Sequence, residues 1–169
     1  MKAIYVGQQP AKRDLKKDSI FLAGPSPRKD NIFSPTGSNP GENIGENWRL
    51  EALDVLEQQK FKGIVYVPLL EDGSWHTNFD MQMDWELKYL DYADVIAFWV
   101  PRNMQTLPGL TTNIEYGMYV DSGKIVLGYP FNAPHTRYMA RLAQMRKVPT
   151  AQTLFQTLCL AIDKLKSEE

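Results

Sequence analysis

The sequence predicts an α/β fold, an open doubly wound parallel sheet of about five strands with helices on both faces. Three observations carry this. Short apolar runs alternate with amphipathic helical stretches along the chain. The runs are apolar throughout rather than at every second residue, as strands covered on both faces require. Glycine or proline punctuates most of the junctions.

Residues 3–6 (AIYV) precede the main alternation and are assigned an edge strand, followed by a linker to residue 18. Residues 19–24 (SIFLAG) form the first buried strand, stopped by Gly24-Pro25. Residues 25–47 are rich in Pro, Gly, Ser and Asn without periodicity, and a loop of that length in a compact domain is expected to be a lid or binding loop. Residues 48–60 form a helix with Arg49, Ala52, Leu53 and Leu56 on one stripe, ended by Gly63 before the strand 64–67 (IVYV). Residues 79–92 form the next helix, its stripe read as Phe79, Met83, Leu87 and Leu90. The strand 94–100 (DVIAFWV) ends at Pro101, a helix runs from about Asn113 to Ser122, and Gly123 leads into the strand 124–128 (KIVLG). A fifth short strand is placed near Val148, and Leu154, Leu158, Ala161, Ile162 and Leu165 share one face of a final helix.

At 169 residues, with 43% hydrophobic and 23% charged residues, the chain is expected to be a single globular domain and not a disordered one. A net charge of -1 leaves no electrostatic footprint for a nucleic-acid polymer. One cysteine excludes an internal disulfide or a cysteine-built zinc site. No run is long enough to span a membrane, and the N-terminal residues lack the apolar centre of a signal peptide. A cytoplasmic protein is expected, with no cofactor and no metal: Walker and dinucleotide glycine spacings are missing, and His76 and His135 stand alone.

In a doubly wound sheet, ligands bind beyond the carboxyl ends of the strands, at the switch in strand order. Three motifs fall on such loops or beside them. Gly24-Pro25-Ser26-Pro27-Arg28 reads as a proline-punctuated turn, or as a phosphate clamp of close backbone, hydroxyl and guanidinium. In Leu110–Gly117, Thr112 and Glu115 match a capping box; the same geometry places Glu115 in a first turn that keeps it ionised, ready as a nucleophile. Glu86 is either a surface acid or a carboxyl whose pKa is raised by its apolar neighbours, as a general acid needs. Asp84 is read as solvent-facing, Cys159 as a buried inert thiol, and Met81 and Met83 as packing. Trp85 and Trp99 lie near enough to the mouth to stack on a planar ring.

The segments IFLAGPSPR, NWRLEAL, MDWELKYLDYADVIAFWVPR and LPGLTTNIEYGMYVDSGKIVLGYP, in this order and spacing over about residues 19–130, resemble the nucleoside 2-deoxyribosyltransferase-like family. The resemblance implies a flavodoxin-like sheet and cleavage of the N-glycosidic bond of a (deoxy)nucleoside or nucleoside 5′-monophosphate, by hydrolysis or by transfer to another base. It implies Glu115 as the catalytic nucleophile and Glu86, eight residues before Asp94, as the second acid. It assigns Gly24, Ser26 and Arg28 to a 5′-phosphate and places Phe21, Thr111 and Thr112 about the substrate, to which the position of Trp85 near the mouth and of Asn113 in the same motif adds two further substrate-binding candidates. A homo-oligomer is implied as well. Phe21 stands where the transferases carry a tyrosine, and Gly109, Thr111 and Thr112 occupy the stretch where they carry an aspartate. Hydrolysis of another N-riboside such as NAD, and a non-catalytic nucleotide-binding or sensing module, are the alternative readings. Chemically, an oxocarbenium-like sugar calls for an anion beneath it, and the departing base calls for a proton.

Overall fold

The structure is a computed structural model of the chain, described here for residues 1–14, 16–26, 47–74 and 76–167. Six strands form one parallel sheet: β1 (Lys2–Tyr5), β2 (Ser19–Ala23), β3 (Ile64–Val67), β4 (Val95–Trp99), β5 (Ile125–Gly128) and β6 (Thr150–Ala151), in the order β1-β3-β2-β4-β5-β6. Five helices connect and close it: α1 (Trp48–Gln58), α2 (Phe79–Tyr92), α3 (Leu110–Tyr119), α4 (Arg137–Arg146) and α5 (Leu154–Lys166). The doubly wound α/β architecture is as expected. The sixth strand is the edge strand read at residues 3–6, and the strand placed near Val148 lies at Thr150–Ala151.

All five residues of β2 and of β4 are buried, because helices cover both faces of the sheet. Ile20 and Leu22 enter the core layer shared with α1 and α5, whereas Phe21 and Ala23 enter the opposite layer with α2, α3 and α4. This alternation aims two side chains of β2 toward the face that carries the two glutamates. The reversal of strand order falls at β2, whose neighbours are β3 on one side and β4 on the other.

Three elements depart from the sequence reading. The buried face of α2 is Gln82, Trp85, Tyr89 and Leu90, while Phe79 is 66% and Met83 42% exposed. Trp85 and Tyr89 join Phe21 and Tyr66 in an aromatic cluster, and burying two such rings outweighs burying Phe79 and Met83. Met81 is exposed too, so neither methionine packs as expected. Helix α3 starts at Leu110 after Gly109, a left-handed N-cap with φ of 60°, and no side-chain cap forms. Thr112 is therefore its third residue and Glu115 its sixth, and the capping box does not exist. Helix α4 has no counterpart in the sequence reading, since only Met139 and Ala143 are fully buried on it. Cys159 is half-buried rather than buried, and burial still pushes its thiol pKa up. The 25–47 loop lies almost wholly outside the described residues. Among those described, no helix is long and apolar enough to cross a membrane.

Candidate active site

An open cleft of about 620 Å³, mouth included, sits at the carboxyl end of β2, where the strand order reverses. Its floor is Phe21 and Ala23 of β2, continued by Gly24, Pro25 and Ser26. Arg49 of α1, Pro68 after β3 and Glu86 of α2 close one part, and residues 108–112 with Glu115 of α3 close the other. Gly24 is required where it stands. Its φ is +149°, and a Cβ there would lie 2.0 Å from the Trp99 carbonyl oxygen.

The largest fully buried side chain among the described residues is Arg49. Its Nε donates to the Leu22 carbonyl at 3.1 Å, and Nη2 donates to the Gly24 carbonyl at 2.7 Å. Nη1 donates to the Pro25 carbonyl at 3.3 Å and to Ser26 Oγ at 3.0 Å. Trp48 Nε1 also donates to Pro25 O, and the guanidinium lies 4.4 Å from the Trp48 ring centroid. One helix start thus fixes the backbone that leaves β2. Burial draws the Arg49 pKa down to about 10, against the opposing pull of Glu86 and Glu115. The sequence reading puts Arg49 on the buried stripe of its helix but misses it as part of the site; an arginine in an otherwise apolar stripe was the available signal.

Glu86 and Glu115 come from different helices on the same face of the sheet and line the same cleft. Burial raises the Glu86 pKa, while the Gln82 hydrogen bond and Arg49 oppose the rise. Gln82 Nε2 donates to Glu86 Oε1 at 2.7 Å. Glu115 is pushed up to about 7, first by burial and then by the charge of Glu86, with Arg49 opposing. Its carboxyl makes no hydrogen bond to the described residues. Both carboxyls are thus raised: for Glu86 this is the expected direction, whereas Glu115 is not held down by the helix start as expected. The cause is local: Glu115 is a full turn too deep in α3 to benefit from the helix start, and Glu86 alone has an amide donor.

Seven expected residues meet at the cleft: Phe21, Gly24, Ser26, Glu86, Thr111, Thr112 and Glu115. Arg28 lies outside the described residues. Two others do not belong there. The indole of Trp85 is packed against Phe21 and Tyr89 in the core, with Nε1 donating to the Gln8 carbonyl at 3.1 Å, so it cannot stack on a ligand. Asn113 turns to the far side of α3, where its Oδ1 accepts from Arg102 Nη2 at 2.5 Å. Trp99 is likewise buried, in the layer of α1 and α5. Asp84 is exposed, as read. No cluster of His, Cys, Asp and Glu that could hold a metal occurs among the described residues.

Residues 17–132 match the family model described as nucleoside 2-deoxyribosyltransferase like, a span running from β2 through β5 that includes both glutamates. The chain belongs to that family. No curated protein matches it.

Proposed function

We propose that this protein cleaves the N-glycosidic bond of a (deoxy)nucleoside or nucleoside 5′-monophosphate, with Glu115 as nucleophile and Glu86 as proton donor. The observation that supports this most is the pair of half-buried carboxyl groups, from two helices, facing one cleft at the switch point of a chain of this family. The Glu115 carboxylate attacks C1′ as the C1′–N bond breaks, and the bonding pair leaves with the base, which takes the Glu86 proton. Glu86 then receives a proton from water or from an incoming base, and that nucleophile releases the sugar from Glu115. The reacting state holds one proton on the pair. Rate profiles see that total and not its location, so the raised pKa of Glu115 is compatible with this sequence of events.

Gly24, Ser26 and Arg28 are assigned to a 5′-phosphate. Ser26 Oγ already accepts from Arg49, which leaves its own hydroxyl proton free to donate to a ligand anion. Phe21, Thr111 and Thr112 border the sugar and base. A homo-oligomer is part of the reading: Leu110, Ile114 and Met118 of α3 are 59%, 65% and 56% exposed at helical spacing, and this stripe begins on the cleft rim. Sedimentation of the free chain checks it, and a monomer at every concentration contradicts it. The single cysteine accords with a reducing, cytoplasmic setting.

A second reading, nucleotide binding without turnover, draws on Phe21, which offers no hydroxyl to the cleft. One experiment separates the two. The protein is incubated with a panel of deoxynucleosides, ribonucleosides, their monophosphates and NAD, with and without a second base. Free base supports cleavage, a new nucleoside identifies transfer, and nicotinamide identifies NAD as substrate. Ligand-induced thermal stabilisation without any product supports binding alone and overturns the proposal.

A further inference from the structure

We propose that Gln82 is the positioning residue of the carboxyl pair: it ties down one oxygen of Glu86, leaves the other to face the cleft, and so decides where the pair's proton rests. The inference deepens the proposed function and rests on it. Gln82 is 1% exposed and every polar contact of its amide is inside the protein. Its Oε1 accepts from the His76 backbone N–H at 3.2 Å, while Nε2 donates to the Pro68 carbonyl at 3.1 Å and to Glu86 Oε1 at 2.7 Å. The orientation is forced. A flipped amide would put its oxygen against the Pro68 carbonyl and its NH₂ against the His76 N–H.

Gln82 therefore offers Glu86 a donor and nothing else, which favours the ionised carboxylate. The other charged groups facing Glu86 are Arg49 from α1 and Glu115 from α3. Arg49 acts on both acids, so it does not distinguish them; Gln82 touches only Glu86. The hydrogen bond also connects the β3–α2 turn to the acid, through Pro68 on the cleft wall and His76 before α2.

The test is a carboxyl ¹³C NMR titration of the full chain, parent against Gln82→Met, followed by the pH dependence of base release. Removing the donor is expected to raise the Glu86 midpoint by about one pH unit, the change in a carboxylate that loses one hydrogen bond of roughly 1.4 kcal/mol. The acid limb of base release should move up with it, and kcat should change with KM nearly constant. An unchanged Glu86 midpoint overturns the proposal whether or not base is released. A shifted midpoint with an unmoved acid limb and unchanged kcat overturns the positioning role. Should the methionine variant fail to fold, Gln82→Glu keeps the length and the His76 contact, and the same upward movement is expected there. A parent protein that releases no base from any substrate sinks the function while the titration still judges Gln82.

Discussion

Arg49 Nη1 donates to Ser26 Oγ at 3.0 Å, so the cation that faces the two half-buried acids also holds the hydroxyl at the end of β2. The same guanidinium reaches the carbonyls of Leu22, Gly24 and Pro25. Site geometry and site charge thus depend on one side chain.

Replacing Arg49 by methionine should destabilise the fold by about 3–5 kcal/mol, the range for removing one partner of a buried charged cluster. Arg49→Lys keeps the charge but loses the fork that spans three carbonyls and a hydroxyl, so it should recover only part of the loss. Urea unfolding of the three proteins checks this, and equal midpoints would deny Arg49 its role.

The pH dependence of kcat/KM should be bell-shaped. Glu115 sits at about 7, and loss of the pair's last proton there sets the alkaline limb. The acid limb should lie above the usual glutamate range, because burial raises Glu86 as well. A rate constant across pH 5 to 9 would contradict the shared proton.

Stability carries the same signature. Between the unfolded value of 4.5 and the folded value of about 7, the folded state holds more proton on Glu115 than the unfolded chain does. Unfolding free energy from this group therefore falls as pH rises through that window, and the penalty is fully present above it. Glu115→Gln removes the ionisable group, so it should be more stable than the parent at pH 8, on the order of 2 kcal/mol, and nearly equal at pH 4. Thermal melts at the two pH values check the sign.

Gly24→Ala should abolish stable folding or shift the main chain of the cleft. Its Cβ would meet the Trp99 carbonyl at 2.0 Å and the Trp48 ring at 2.9 Å, and φ of +149° resists any side chain. A melting temperature within a degree or two of the parent would show that the β2 exit is looser than described.

Much of this was legible in the residues. IFLA and VIAFW are apolar at every position, which only a strand covered on both sides tolerates, and the sheet followed from that. Both glutamates come from local context and family likeness, yet the upward shift of Glu115 does not. It goes with burial and with α3 beginning three residues before the expected Asn113, at a left-handed glycine. Trp85 was misplaced for a related reason. A tryptophan next to a site acid reads as a stacking platform, but α2 is rolled so that this ring fills the core and Phe79 and Met83 face outward. Arg49 stayed hidden because periodicity reports which face a residue occupies and not which carbonyls wait for it there.

The most direct measurement is mass spectrometry of the protein after incubation with a 2′-fluoro-2′-deoxynucleoside, which slows release of the sugar from the enzyme. The expected result is free base together with one sugar-sized mass addition on the peptide carrying Glu115, absent from Glu115→Gln. Free base released at the same rate by the parent and by Glu115→Gln, with no addition on that peptide, would contradict a glutamate nucleophile at this cleft.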